Sequence, residues 1–432
     1  MPSPDGPTRR RLLAAGVAAA GALAGCQTGD EETTTVTPAA VPSGAVDPGR
    51  LVVRYDDARR RTPTARAMAG TIDAFTDRRD AVEVRTGPRT DRAPGPDDSV
   101  VAYGRLGAAV ADRAERGDLT EIGDRWDAVA AQMPEGLFQT SYLGGRLVAV
   151  PQALTRLNTL YYNPSVLDSA GVDPEAYPTV SDLTTAPGPL DDAVETLFSA
   201  PMRSDGDRLA LWESTLSSRL VSQRQFEQLR SGGAGSNRLT LRRTMRDYGA
   251  ALSALPDDAD ALSPPALLEG VLDGRVGFAR LSSRAALGLI GREDATYGED
   301  WALMPMFNSP WATVLDVEGF VVPAATAELD RPRSFVRFAT GADTQRRFAA
   351  ASGTVPARRD AAEAVAHHPS YESVAAHYRE ATVYAPSMAT GVTVRGPVRA
   401  RLNEALVAFA DHGSVDTAVD GVVEALQSVS ML

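Results

Sequence analysis

The chain contains no lysine; all 44 basic residues are arginines, set against 56 acidic ones for a net charge of −12. Without lysine there is no Ser-x-x-Lys nucleophile, no Schiff base and no P-loop. An acidic chain with no concentrated basic stripe is not built to track a nucleic-acid backbone. The Ala/Asp/Arg-rich, lysine-free composition predicts a high-GC genome and a salt-loving host. In molar salt the Debye length falls to about 3 Å, which screens repulsion among surface carboxylates. Cysteine is nearly absent too. Cys26 is the single one, so no intramolecular disulfide forms and no catalytic cysteine lies in the body of the chain. The four histidines, His367, His368, His377 and His412, all fall late. A metal site from the first three is conceivable by residue type, but a solvated histidine pair is the preferred reading, and no cofactor is expected.

No apolar run is long enough to span a membrane. The longest, residues 12–25, is too short at about 1.5 Å per residue to cross a hydrocarbon core of about 30 Å. It follows Arg9-Arg10-Arg11 and precedes Cys26. That order predicts a signal peptide over 1–25 resembling a twin-arginine signal. Leu23-Ala24-Gly25-Cys26 resembles a lipobox, with Cys26 as the lipid attachment site. Residues 26–49, rich in Thr, Glu, Pro, Ser and Gly, read as a flexible tether. The expected location is the extracellular face of the cytoplasmic membrane, with the anchor as the only membrane contact.

Beyond the tether, the pattern alternates between period two and period 3.6. Residues 51–55, 81–85 and 99–103 read as strands, and 64–78 and 105–116 as helices, an α/β order with a largely parallel sheet. Gly144-Gly145 marks a hairpin turn into 146–150, where Pro151 is expected to end the strand. A strand over 157–163 precedes a short helix over 164–171, with Gly171 suited to its left-handed cap. Thr179 is suited to cap the next helix. Helical spacing then covers 191–199, 214–229, 239–254 and 265–273, with Trp212-Glu213 ending a strand. Strands return at 275–281, 301–304 and 313–322, and helices fill most of 332–352 and 372–429.

Several segments resemble sugar-type extracellular solute-binding proteins of ABC importers, the maltose-binding-protein-like family. These are 97–107 (DDSVVAYGRLG), 142–151 (YLGGRLVAVP), 160–167 with 170–174 (LYYNPSVL, AGVDP), 268–278 (LEGVLDGRVGF), and 320–323 through 351–358 (FVVP, ASGTVPAR). The resemblance implies a two-lobed, periplasmic-binding-protein-like (Venus flytrap) α/β fold with discontinuous lobes. It places the first lobe at 50–155 and 306–360 and the second at 156–305 and 361–432. It also implies a non-enzymatic, monomeric receptor, here from a halophilic archaeon, that captures a small polar solute, foremost a carbohydrate, and delivers it to ABC permease subunits.

Sugar sites combine aromatic platforms with carboxylates, amides and arginines. Residues of those types at the segments matching the family's cleft are the ligand-binding candidates. They are Tyr103, Arg105, Gln152, Thr155, Arg156, Trp212, Glu213, Ser283, Arg284, Trp311, Asp316, Glu318 and Tyr384. Trp212-Glu213 also reads as a core tryptophan beside a capping glutamate, and Tyr384 as a core residue. Ser283 and Arg284 stand where the family usually has Gly-x-Trp. That departure leaves room for an anionic solute such as a polyol phosphate, an organic anion or a metal complex. An extracellular hydrolase would need two carboxylates on facing segments, for which Glu213 and Asp316 are the candidates, and a sensing or adhesion protein could keep the same fold.

Overall fold

The computed structural model describes residues 50–428 except 56–61, 79–82, 89–97, 124–126, 144, 308 and 364–367. The signal peptide, Cys26 and the tether therefore lie outside the described residues, as does His367.

Thirteen strands are seen among the described residues: β1 (Arg50–Tyr55), β2 (Glu83–Pro88), β3 (Ser99–Arg105), β4 (Tyr142–Leu143), β5 (Arg146–Leu147), β6 (Ala149–Arg156), β7 (Thr159–Tyr162), β8 (Thr196–Ser199), β9 (Val276–Leu281), β10 (Ala302–Pro305), β11 (Ala312–Val321), β12 (Val355–Pro356) and β13 (Val383–Pro386). Apart from the short β4–β5 hairpin they form two sheets. The larger runs β12-β6-β11-β3-β1-β2, with β13 also paired to β11; the smaller runs β10-β7-β9-β8. Val- and Leu-rich β1 pairs in parallel with β2 and β3, as buried strands of an α/β sheet do. β11 runs antiparallel to both β3 and β6, so it closes the middle of the larger sheet.

Local signals set the helix starts. The Thr62, Asn163, Thr179, Ser204, Ser222 and Ser263 side chains each accept a backbone amide of the first turn. Gly171 takes a φ of 67°, closing the helix Pro164–Ser169 as its left-handed conformation allows.

Four sequence expectations need correction. Residues 191–199 are a helix only over Leu190–Ala193, and the rest forms β8, because pairing with β9 overrides a weak helical period. Trp212-Glu213 lies within the helix Asp205–Ser217 and ends no strand. Pro151 does not end its strand: β6 continues to Arg156 because the proline sits at a bulge. There Glu318 faces Ala153 while Gly319 faces Pro151, which leaves Gln152 as the extra residue. β13 interrupts the stretch expected to be helical over 372–429 and joins the larger sheet.

The core has three apolar clusters. One packs Met68, Phe75, Phe335 and Phe348 against β1, β3 and Phe320 of the larger sheet. The other two draw on both sheets: Val314 and Val383 join Phe198 and Trp212, and Val317 and Tyr384 join Tyr161 and Trp301. The described residues accordingly hold together as one compact unit. No described helix is long and apolar enough to cross a membrane.

Candidate functional site

The chain crosses between the sheets from β6 to β7 and from β10 to β11, and polar side chains knit these crossings together. The Asn158 amide donates to Ser217 Oγ (3.0 Å), Ser309 Oγ (3.3 Å) and the Ala312 carbonyl (3.0 Å). Its Oδ1 accepts from Arg156 Nε at 3.0 Å and from the Val314 amide at 3.0 Å. Arg156 also reaches the Ser309 and Ala312 carbonyls, and its own amide donates to Ser283 Oγ at 3.1 Å. Burial alone pulls the Arg156 guanidinium down to about 9, so it stays charged at neutral pH with carbonyl oxygens for partners.

Beside this crossing, strand geometry gathers five of the thirteen candidates. Side chains two apart on a strand share a face. Asp316 and Glu318 therefore project together from β11, as Tyr103 and Arg105 do from β3, with Arg105 opposite Glu318 in register. Arg105 nevertheless reaches past its direct neighbour to grip Asp316 with two bonds, at 2.8 and 3.1 Å. Glu318 is taken by Arg284 Nη2 at 2.7 Å and by the Tyr103 hydroxyl at 3.3 Å. Arg284 sits in the turn Ser283–Gly288 that follows β9, so its pairing with Glu318 ties the smaller sheet to the larger. Tyr103 is buried against Phe320 and Phe348; desolvation first, then the charge of Glu318, pushes its hydroxyl well above the usual phenol range.

Next to this network lies a cavity of about 380 Å³ lined from both sheets. Arg105, Ala389 and Thr390 border it from β3 and from the segment after β13, and Leu157 from the crossing. Arg280, Leu281 and Ser282 border it from the end of β9, Ser204, Gly206 and Asp207 from the start of the helix Asp205–Ser217, and Arg399 from the helix Gly396–His412.

The remaining candidates are placed otherwise. Thr155 pairs with Asp316 in the ladder but does not border the cavity. Gln152, the bulged residue, has no exposed surface, and neither end of its amide has a partner among the described residues. Trp212 is wholly buried in the core, where its indole N–H meets no acceptor among the described residues. Trp311 donates from Nε1 to the Leu220 carbonyl at 2.7 Å, half-buried beside the same cluster. The Tyr384 hydroxyl donates to the Tyr378 carbonyl at 2.8 Å, within the core. His368 caps the helix Pro369–Glu380 and stacks on Trp301 at 5.7 Å, so it is partly buried and not free on the surface.

Glu213 grips the loop that ends at the cavity. It accepts from Ser387 Oγ at 2.6 Å, from the Ala389 amide at 3.1 Å and from the Met388 amide. Burial outweighs these donors and nearby Arg280, pushing its carboxyl up from 4.5 to about 7. The folded state then holds a proton over a pH range in which the unfolded chain has released it. Stability should therefore fall as pH rises from 4.5 through 7, by about 3 kcal/mol at most, and level off above. Glu213→Gln, uncharged at every pH, should lose that slope. Denaturant melts of both proteins from pH 5 to 8 test this; equal slopes would contradict it. With Glu213 committed to this loop and Asp316 to Arg105, the two carboxylates do not form the free pair that a hydrolase needs.

The fold and the site together give a two-sheet α/β body with a polar cavity bordered by both sheets. The model of the bacterial extracellular solute-binding protein family matches residues 82–376, and the chain belongs to that family, whose members are receptors and not enzymes. An ABC-transporter extracellular-binding protein of Pyrococcus horikoshii is 22% identical over 311 residues, 72% of this chain and 69% of its own length. The xylose/arabinose-binding protein of Haloferax volcanii is 22% identical over 244 residues, 55% of this chain and 52% of its own. Among solved structures, a secreted solute-binding lipoprotein of Streptomyces coelicolor matches with a TM-score of 0.67 at 17% identity, covering 89% of this chain and 100% of that one. A maltose-bound receptor of T. maritima matches at 0.61 and 14%, covering 88% and 99%. The fold is thus the periplasmic-binding-protein-like α/β fold.

Sequence reasoning missed Ser204, Asp207, Arg280, Thr390 and Arg399. Ser204 and Asp207 carry a readable signal, a serine three residues before an acidic one at a helix start. Arg280 and Arg399 carry none, since only the packing of β9 against distant helices brings them together.

Proposed function

We propose that this protein is the substrate-binding component of an ABC importer, capturing a sugar or oligosaccharide between two hinged lobes and presenting it to the permease. The observation that carries the reading is the cavity bordered by both sheets beside the polar crossing strands, in a chain of this family. The relatives' names support it: one is an ABC-transporter binding protein, and the other binds xylose and arabinose. The similar structures include receptors described with β-D-galactopyranose and with maltose.

The lobes are those given above, amended so that β13 goes with the first. In this reading the Arg284–Glu318 pair holds the lobes together and opening breaks it, and only a solute that favours the closed form shifts the balance. The chain is lipid-anchored at Cys26 after twin-arginine export, and the tether lets the body reach the permease in a high-salt exterior.

The test is a melting screen of the protein in molar salt against neutral and acidic mono- and oligosaccharides. A solute at 100 times its Kd should add about 2.7 kcal/mol of stability. If no carbohydrate raises the melting point while a non-carbohydrate solute does, the sugar reading fails.

A further inference from the structure

The cavity is positively charged in a chain of net charge −12. Arg105, Arg280 and Arg399 line it, against the single carboxylate Asp207. Arg105 is already matched by Asp316. Asp207 is in use as well: its amide donates to Ser204 Oγ, and its carboxylate accepts from the same hydroxyl at 2.9 Å. Arg280 is only 4% exposed; the charges of Asp207 and Glu213 act on it, but among the described residues it forms no ion pair, and its one side-chain bond is Nε to Ser214 Oγ at 3.1 Å. Arg399, on the exposed side of its helix, has no carboxylate partner among the described residues either.

Three helices of nine residues or more begin at this rim, Asp205–Ser217, Pro264–Leu272 and Gly396–His412. Each presents the partly positive end of its dipole there. A neutral solute entering the cavity would drive water from Arg280 without replacing the charge it faced, which is costly for a buried cation. A monoanion with a planar, two-oxygen head would meet the excess of arginine over carboxylate in the lining and match the guanidinium fork.

We infer that the solute is a sugar acid, a polyhydroxylated carboxylate whose acid group is held by Arg280 and Arg399 while its hydroxyls meet Ser204, Asp207 and Thr390. This rests on the reading of the cavity as the carbohydrate site. Arg284, which the sequence offered as the anion contact, is neutralised by Glu318, and the role passes to arginines on β9 and on the helix Gly396–His412.

The test is titration calorimetry on the full chain at one fixed salt concentration. The probes are D-glucuronate, D-galacturonate and D-gluconate, their neutral parents D-glucose and D-galactose, and glucose 6-phosphate. At least one sugar acid should bind tenfold or more tightly than its neutral parent and than the phosphate ester. Arg399→Gln, at an exposed position, should weaken the acid at least fivefold while changing binding of the neutral parent less than twofold. Arg280→Gln should weaken the acid more strongly and, by removing the buried charge, should leave the neutral parent bound at least as well as before; a chain unfolded by that change still leaves Arg399→Gln to decide. Equal or tighter binding of the neutral sugars overturns the inference and leaves the carbohydrate receptor standing. Preference for glucose 6-phosphate overturns the carboxylate assignment. Acid binding indifferent to both substitutions overturns this cavity as the site. Binding of no carbohydrate in either series overturns both readings.

Discussion

Gly319→Ala should cost about 4 kcal/mol of folding stability, close to the limit of what a single methyl group does. Gly319 lies in β11 where the ladder with β6 slips by one residue. A Cβ there would stand 2.2 Å from the Val150 carbonyl oxygen and 2.9 Å from Pro151 Cα, both backbone atoms, and 2.9 Å from Leu106 Cδ1. A side chain can rotate out of the way, but a carbonyl fixed in a central ladder cannot. Relief would require β6 and β11 to separate, and with them Asp316 and Glu318 would leave Arg105 and Arg284. The variant should therefore also bind solute more weakly once the loss of folded protein is allowed for. Gly145→Ala is the comparison: its φ of 75° strains alanine mildly, but nothing lies within 4 Å, so about 1 kcal/mol is expected. Guanidinium unfolding curves give both values. A Gly319→Ala protein within 1 kcal/mol of wild type would show that the two strands are not clamped as described.

Trp212→Ala should cost about 3–5 kcal/mol, the usual range for emptying a large aromatic site in a core. The ring is wholly buried in the same cluster as Leu209, Leu216 and Phe198, and it faces no solvent. Its indole N–H meets no acceptor among the described residues, so Trp212→Phe discards an unmatched donor and should cost less than half as much. In both variants, solute affinity per folded molecule should stay within twofold of wild type. A tryptophan that stacks on a sugar would behave in the opposite way, with affinity collapsing and stability nearly unchanged. Unfolding curves combined with calorimetry on the same samples separate the two roles.

Much of the architecture is legible from side-chain periodicity. Strands such as β1, β3, β9 and β11 are rich in apolar residues, and several helices announce themselves with a Ser, Thr or Asn cap. The gathering of Tyr103, Arg105, Asp316 and Glu318 follows from period two once β3 and β11 are neighbours, so those candidates come together. The misreadings share one cause, the dominance of distant partners over local pattern. Residues 196–199 become a strand because β9 is there to pair with, and Pro151 stays within β6 because a bulge accommodates it. Trp212 and Glu213 look like a sugar-binding pair in a linear sequence. Placed on one helix, they fill the core and hold a loop instead. Arg280 and Arg399 have no linear signature, because an arginine's missing partner becomes visible only when its neighbours are known.

β11 also governs the order in which the molecule can be built. Its neighbours β3 and β6 leave the ribosome long before it does; Tyr103 and its partner Glu318 are separated by 215 positions. Until then both strands carry open edges of unused amide and carbonyl groups, the kind of surface that invites pairing between chains. Maturation is thus a late event that waits for the middle of the larger sheet to arrive. A chain truncated before residue 312 should accumulate as sticky, half-built material and not as a smaller functional receptor.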